Sequence, residues 1–547
     1  MSFTSNVLCY SNLSLILNIE ILLVKSNIIF RKLFSTKSVL LILILAVTLI
    51  KLSLSGSGFL ALQDERRYEK SAKAIQCLTN YNIKGFFFEI FSTKGRPGET
   101  IVKIIPNSIQ FITAKIFTLN VYETENSYPL FFFNFIVYCL TLVLHYKCSR
   151  LLLKNDSLSL LSVLIYSCFI NPYLYLRHAV PYDSSLLILY FCFYKALVYQ
   201  EEKNTGGIQY FKLGILTTFG YLVYPGFFPL VFLTGLMILL YKQHDEGYFK
   251  RFKKLLLLIV GGLFLIVFFE LLSNIGGKSF LNTTRELSST INQGSFEETL
   301  VFLFKYLFEV EQLNGILVFA GLFFFLISLF KRREEFFFEP VLLTVGILTF
   351  IYTLYGCAGF LFHKVVYYGR LMHQYYPFIC IAILYPLANK AFKLKTRTWL
   401  LLVISLTFVV SFFYYFLEYK RYDYPRDIGW KYLNIHGRKF LNSKCEYGGG
   451  ESQIPSGAER MKKSKNVDKK TASFLFYNII NGCYHDRFDR LKMQDISYIV
   501  NYGTLLESQT PFYCFKGYQY EGYSIPERKT IDSLNVKIKV YGLNFHY

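Results

Sequence analysis

The chain has 547 residues, of which 53% are hydrophobic and only 18% are charged. A soluble protein of this size could not cover its surface with so few charged residues, so the composition excludes a soluble enzyme. The formal net charge of +22 is concentrated in short loops between apolar runs. It therefore reflects membrane topology, and we expect no nucleic-acid partner.

The first 37 residues form an N-terminal segment that we predict to be cytoplasmic or interfacial. Residues 7–24 are apolar but include Asn12, Asn18 and Glu20. No basic region precedes them and no small-residue cleavage site follows, which argues against a cleaved signal peptide. An interfacial helix fits this pattern better than an extra span.

Eleven apolar runs then recur along most of the chain, and most approach the ~20 residues that a helix needs to cross a bilayer. They are 38–55, 128–146, 157–173, 183–200, 211–224, 227–241, 254–272, 313–330, 337–356, 375–390 and 398–418. The sequence therefore predicts an all-α polytopic domain over 38–418 with about eleven transmembrane helices.

The turn Tyr224-Pro225-Gly226 divides one long apolar stretch into two of these runs. Proline ends a helix and glycine permits a tight turn, so we interpret this site as a hairpin between two spans. A single kinked helix is the alternative, and it would reverse the orientation of every later span.

Loop charge favours the hairpin. With it, the segments on one side are rich in Lys and Arg, namely 25–37, 147–156, 201–212, 242–254, 331–336 and 390–397. By the positive-inside rule these loops are cytoplasmic. We therefore expect a multi-pass membrane protein with a cytoplasmic N terminus and an extracytoplasmic C terminus.

The outer segments are 56–127, 273–312 and 357–374, and the chain after 418 is polar and mixed. Residues 419–547 are predicted to form an extracytoplasmic α/β domain of ordinary size. Within it we predict strands at 473–480, 496–501 and 511–518, and short helices at 426–434 and 487–493.

The first outer loop opens with Gln63-Asp64-Glu65-Arg66-Arg67-Tyr68, directly after the first span. A pair of carboxylates at a membrane boundary is a functional hypothesis, because unpaired charge is costly there. A solvated loop in which Arg66 and Arg67 pair with the acids is the alternative. The same loop holds further basic residues, which suggest an anionic ligand or, alternatively, anionic lipid head groups.

Other chemical signatures are lacking in the sequence. It has no CxxC, no HExxH and no Walker loop, so direct use of ATP or a nucleotide sugar is not supported. The 11 cysteines form no pattern; Cys445, Cys483 and Cys514 leave one disulfide of unknown pairing open. His363 and His373 lack a spaced partner motif, so we expect no metal site, with a divalent metal as the alternative.

Three short motifs carry a resemblance to a known family. They are the acidic motif at 63–72, Asn171-Pro172-Tyr173-Leu174-Tyr175-Leu176-Arg177 followed by Pro181-Tyr182, and Tyr368-Gly369-Arg370-Leu371-Met372-His373 continuing to Pro377. Their order and topology over 38–418 resemble the GT-C fold membrane glycosyltransferases, and are similar to the protein O-mannosyltransferase and aminoarabinose transferase group. Gly95-Arg96-Pro97-Gly98, about thirty residues after the acidic motif, adds to the resemblance. The sequence departs from the group at the same place, where the family often has a Pro-Pro pair.

The resemblance implies an enzyme that moves a sugar from a polyprenyl-phosphate donor to a glycan, lipid or protein acceptor on the extracytoplasmic face. Asp64 is the candidate general base, and Glu65 a supporting acid. The leaving lipid phosphate needs cationic contacts. The candidate substrate-binding residues are Tyr68, Arg96, Arg177, Tyr182, Arg370 and His373, with ion pairing or packing as the alternative for each.

Two other functions stay open from the sequence. A glycolipid flippase or transporter would also have many spans and a basic outer cavity, but it should carry ionisable residues inside its spans. Lys51 and Glu270 are interpreted as lying near span ends, which favours surface chemistry. A polysaccharide polymerase would favour a large outer loop between late spans, whereas here the early loop is richest in acids and bases.

Overall fold

The structure is a computed structural model, and it describes residues 36–53, 67–92, 96–116, 128–176, 180–202, 205–242, 246–293, 300–311, 313–362, 369–388, 394–421, 524–531 and 538–544. Up to residue 421, all regular structure in these ranges is helical.

The described residues form eighteen α-helices. They are α1 Thr36–Ser53, α2 Arg67–Thr79, α3 Ile83–Phe91, α4 Pro97–Ile116, α5 Tyr128–Leu153, α6 Asp156–Cys168, α7 Ile170–Leu176, α8 Tyr182–Glu201, α9 Gly207–Val223, α10 Phe228–Leu240, α11 Tyr248–Ile275, α12 Phe280–Gln293, α13 Phe302–Tyr306, α14 Leu313–Lys331, α15 Pro340–Phe362, α16 Gly369–Met372, α17 Tyr376–Ala388 and α18 Leu394–Arg421. Each of the eleven predicted apolar runs contains a helix. The first outer loop holds three helices that the sequence analysis did not predict, α2 to α4.

Within the described ranges, four helices are long and apolar enough to cross a membrane: Pro129–Leu153, Tyr248–Ile275, Leu313–Lys331 and Pro340–Phe362. Shorter apolar helices occupy Asp156–Cys168, Pro225–Leu240 and Thr398–Tyr414. On α11, apolar side chains such as Ile259, Leu263 and Val267 are exposed on the protein surface. Exposed apolar stripes on such helices fit a lipid environment and not water. The chain is a helical membrane protein, and the number of crossings stays a prediction.

Contacts at one end of the helical domain join the segments that the sequence marks as basic. Lys37, at the start of α1, contacts Asp156, at the start of α6, at 2.8 Å. The Arg150 guanidinium, near the end of α5, lies 3.0 Å from the same carboxylate. The hydrogen bond from Lys37, with the charge of Arg150, holds the pKa of Asp156 below its ordinary value. We call this end, which also includes Leu239 and Arg251, the basic end.

The opposite end carries Lys51, Asn171, Asp183, Tyr224 and His373, and we call it the site end. Here the end of α1 contacts the end of α6, because the Lys51 ammonium donates to the Phe169 carbonyl oxygen at 2.8 Å. α1 and α6 therefore run parallel, joined at both of their ends. This parallel pair agrees with the alternation predicted for the first three apolar runs, whereas the side of the membrane that each end faces stays a prediction.

The predicted hairpin at Tyr224-Pro225-Gly226 is present. Tyr224 is extended, a 3₁₀ turn follows at Pro225–Phe227, and α10 then begins. α8 begins with Tyr182, whose ring contacts Tyr224, and near its other end Gln200 donates to the Ile238 carbonyl oxygen, close to the end of α10, at 3.1 Å. α9 therefore ends at the site end and α10 returns to the basic end, which excludes the single kinked helix.

Glycines bring α9 and α11 into backbone contact. A Cβ on Gly214 would lie 1.9 Å from the Leu258 carbonyl oxygen, and one on Gly261 would lie 2.0 Å from the Phe211 carbonyl oxygen. Small residues at such crossings allow close helix packing inside membranes, where the hydrophobic effect does not drive association. α9 also packs against α4, and α11 packs against α3.

We predict that Gly214→Ala or Gly261→Ala lowers thermal stability in detergent, because the added methyl must push two backbones apart. Overpacking of this kind costs about 1–3 kcal/mol. Gly247→Ala is the matched control, since a Cβ there would meet no atom within 4 Å. The midpoint of thermal unfolding, followed by size-exclusion chromatography, should fall for the first two variants only. Equal midpoints in all three would contradict the packing argument.

In the C-terminal segment the structure describes one antiparallel hairpin, β1 Ser524–Ile531 paired with β2 Ile538–Asn544. The sequence analysis did not predict these two strands. The strands and helices that it did predict between 426 and 518 lie outside the described residues. The α/β domain over 419–547 therefore stays a prediction.

Candidate functional site

The structure describes some of the predicted site residues fully, some by their backbone alone and some not at all. Three lie outside the described residues: Asp64, Glu65 and Arg177. For two others the helical backbone alone is described, with Tyr68 near the start of α2 and Arg370 in α16. The remaining three, Arg96, Tyr182 and His373, are fully described, and all three lie at the site end.

Arg96 immediately precedes α4 and is half-buried. The turn that carries it is pressed against the end of α9, where a Cβ on Gly98 would lie 2.7 Å from the Val223 backbone nitrogen. The guanidinium of Arg96 lies over the Tyr224 ring, 5.1 Å from its centroid. Its Nε and Nη1 atoms are buried and have no hydrogen-bond partner in the described part of the chain. Two buried guanidinium nitrogens without hydrogen bonds are unusual, and they favour an anionic ligand.

An aromatic cluster connects Arg96 to the other predicted residues. The Tyr182 and Tyr224 rings meet edge to face with centroids 4.6 Å apart. Phe227 packs against Tyr224 at 5.0 Å and against the His373 ring at 6.3 Å. Tyr182 is almost fully buried at the start of α8. The structure thus brings the three described candidates onto one cluster, made by the ends of α8 and α9 and the 3₁₀ turns at 225–227 and 373–375.

His373 is fully buried and held on both sides. Its Nε2 lies 2.8 Å from an Asp183 carboxylate oxygen, and its Nδ1 lies 2.8 Å from the Asn171 side-chain oxygen. The two oxygens fix the plane of the ring. In this conformation His373 links α7 to α8.

A second set of buried charges adjoins Asn171. Both oxygens of the Glu311 carboxylate accept backbone hydrogen bonds, one from Ile170 at 2.8 Å and the other from Asn171 at 2.9 Å. Lys51 is fully buried and donates to the carbonyl oxygen of Phe169, the residue before Ile170. The Lys51 ammonium also lies 5.2 Å from the Tyr138 ring centroid, a cation–π contact.

The helix α4 turns polar side chains toward the protein and apolar ones outward. Glu99 and Lys103 form a buried ion pair at 2.6 Å, one turn apart. On the outer face Ile105, Ile109 and Ile116 are 55%, 49% and 68% exposed. This reversed arrangement fits a helix whose outer face contacts lipid and whose inner face adjoins the polar site end.

Sequence reasoning missed several members of this cluster. Lys51 was interpreted as a residue near a span end, but its side chain is fully buried in the helical core. Glu311 and Asp183 received no role. The signal that could have found Lys51 was present, since it is the one charge within 38–55 and an ionisable residue in a span is a functional hypothesis by default.

No group of three His, Cys, Asp or Glu side chains that could hold a metal ion occurs among the residues that the structure describes. The buried groups at the site end are instead suited to hold an anion through Arg96 and to fix helix ends through Lys51 and Glu311.

The described helices and their buried charges define a helical membrane protein with a polar cluster at one end. No protein-family model and no curated protein sequence matches the chain. A solved structure of the Archaeoglobus fulgidus oligosaccharyltransferase, in complex with zinc and sulfate, is similar at 12% identity with a TM-score of 0.36. The match covers 79% of this chain and 57% of that one, so the chain spans little more than half of that structure.

Proposed function

We propose that the protein is a membrane glycosyltransferase of the GT-C type. It transfers a sugar from a polyprenyl-phosphate donor to a glycan, lipid or protein acceptor on the extracytoplasmic face. The observation that carries the proposal is the half-buried Arg96 guanidinium, with two nitrogens that lack hydrogen-bond partners among the described residues and a tyrosine ring beneath it. A lipid phosphate at the head-group level is the anion that best fits such a cation.

The proposed reaction needs a base, a leaving-group contact and a dry site. Asp64 takes the proton of the acceptor hydroxyl as its oxygen attacks the anomeric carbon, and Glu65 orients the acceptor. The bond from the anomeric carbon to the phosphate oxygen breaks, and Arg96, Arg177 and Arg370 stabilise the charge on the departing lipid phosphate. Tyr68 lines the donor site, and the buried Tyr182 supports it through its contact with Tyr224.

A flippase or transporter of glycolipids is the second candidate, because the site end holds buried ionisable groups. Lys51, Glu311 and Asp183 are the kind of charges that mark transport pathways inside membranes. However, each of them has a defined protein partner, either a backbone group or His373. These hydrogen bonds favour a structural role for the three residues over a role in a transport path. A polysaccharide polymerase would differ from the proposed enzyme in its donor, which would be a lipid diphosphate and not a lipid monophosphate.

Donor binding tests the proposal. We expect Arg96→Ala to weaken binding of a polyprenyl-phosphate sugar by ~1.5–3 kcal/mol, the usual contribution of a hydrogen bond to a charged group. Arg96→Lys should recover only part of the loss, because the fork geometry is missing. The matched control is Lys278→Ala, which removes another cation stacked on a ring, that of Phe88 at 4.9 Å.

The measurement uses purified protein in nanodiscs, with a polyprenyl-phosphate sugar, a polyprenyl-diphosphate sugar and a nucleotide sugar as separate ligands. The proposal predicts tight binding of the monophosphate donor, with a loss of affinity in Arg96→Ala but not in Lys278→Ala. Tight binding of the nucleotide sugar, or indifference of lipid-donor binding to Arg96, would contradict it.

A further inference from the structure

The most unusual backbone feature of the site end is the break between α6 and α7. α6 ends at Cys168, Phe169 is extended with φ −70° and ψ 145°, and α7 begins at Ile170. Pro172 is the local sequence feature that favours the break, because it has no N–H to bond the carbonyl of Cys168 and its ring crowds the preceding turn. The sequence analysis treated 157–173 as one uninterrupted span.

A helix break inside the protein leaves backbone groups without helical partners. Phe169 and Ile170 are 0% and 1% exposed, so water does not reach them. Unpaired buried backbone groups are costly, and in a membrane no solvent can replace their hydrogen bonds.

Two charged side chains from distant parts of the chain occupy the break. Lys51 donates to the carbonyl oxygen of Phe169, across 118 residues of sequence. Glu311 accepts from the N–H groups of Ile170 and Asn171, across 141 and 140 residues. The signs match the ends of the helices, since a cation is favoured at the C terminus of α6 and an anion at the N terminus of α7.

α7 in turn connects to the aromatic cluster of the proposed donor site. Its second residue, Asn171, is hydrogen-bonded to His373, and His373 to Asp183 at the start of α8. His373 also packs on Phe227, next to Tyr224 and hence to Arg96. The orientation of α7 therefore affects the buried aromatic cluster against which Arg96, the proposed phosphate contact, packs.

We propose that Lys51 and Glu311 are positioning residues that hold the broken helix in place and thereby align the donor site for transfer. This role rests on the proposed function. The two side chains touch no substrate; they act through α7, Asn171 and His373. We expect a larger effect on turnover than on donor binding, because Arg96 is connected to His373 only indirectly, through the Tyr224 and Phe227 rings.

The test compares Lys51→Met, Glu311→Gln, Glu311→Asp and the double variant Lys51→Met/Glu311→Gln. Ser162→Ala is the matched control, since it removes a 2.8 Å partner of the fully buried His145 away from the break. Three quantities are measured below the unfolding midpoint: kcat, donor KM, and hydrogen–deuterium exchange of the Ile170 and Asn171 amides.

A glutamine offers one acceptor where the carboxylate offers two, so Glu311→Gln should accelerate exchange at these amides. Misalignment should lower kcat by about 10–100-fold, with donor KM nearly unchanged. Glu311→Asp should restore part of kcat. The double variant should regain thermal stability over Lys51→Met, because no lone buried charge remains, but not kcat.

Wild-type kcat in the double variant would overturn the positioning role, since the two charges would then merely neutralise each other. An equal loss of kcat in Ser162→Ala, or unchanged exchange and kcat in Glu311→Gln, would also overturn it. If the wild type turns over no lipid-linked donor, the proposed function fails. The exchange comparison still decides whether the pair orders α7.

Discussion

Asp64→Asn is expected to abolish sugar transfer while leaving expression and folding intact. Asparagine is close in size to aspartate but cannot accept the proton of the acceptor hydroxyl. A general base contributes about 10²–10⁴-fold to the rate, so transfer should fall by that factor. The assay uses membranes or purified protein with a lipid-linked donor, and folding is followed by size-exclusion chromatography.

The matched control for this change is Asp156→Asn, which also replaces an aspartate with asparagine but at the basic end. Asp156 pairs there with Lys37 and Arg150. An exposed pair of this kind contributes little, so the control should keep normal turnover. Near-normal turnover in Asp64→Asn would remove Asp64 from the mechanism.

The second large effect is expected on stability. Asp183→Ala removes the acceptor that faces Nε2 of the fully buried His373. A buried donor left without a partner costs up to about 3 kcal/mol. Asp183→Asn should cost less, because its side-chain oxygen can still accept from the ring.

Ser184→Ala is the control for Asp183→Ala, since Ser184 is the next residue on α8 and is similarly buried. Thermal midpoints in detergent should fall in the order control, Asp183→Asn, Asp183→Ala. Equal midpoints for Ser184→Ala and Asp183→Ala would show that the His373 contact does not stabilise the site end.

The helices of the eleven apolar runs were predictable because the limits of such a run depend on local composition. The hairpin at 224–226 followed from a Pro-Gly pair and from loop charge, both readable within a few residues. The three helices of the first outer loop were missed, since α2 to α4 lack the long apolar runs that marked the spans.

The polar cluster was predictable only in part. Arg96, Tyr182 and His373 were named from short motifs, and the structure places them on one aromatic cluster. The residues that contact them were not predicted, because the contacts join parts of the chain that are far apart in sequence. The two contacts of His373 span 190 and 202 residues, and those of Lys51 and Glu311 span more than 100. The break after Cys168 was hidden inside an apolar run, where Pro172 was its one local sign.

Release of free polyprenyl phosphate is the measurement that tests the central claim most directly. Purified protein is reconstituted into vesicles with a polyprenyl-phosphate sugar and candidate acceptors, and the lipid products are followed by mass spectrometry. The proposed glycosyltransferase predicts free polyprenyl phosphate and a new glycoside in equal amounts, both lost in Asp64→Asn. Movement of the intact donor to the other leaflet, without release of polyprenyl phosphate, would contradict the claim and identify a flippase instead.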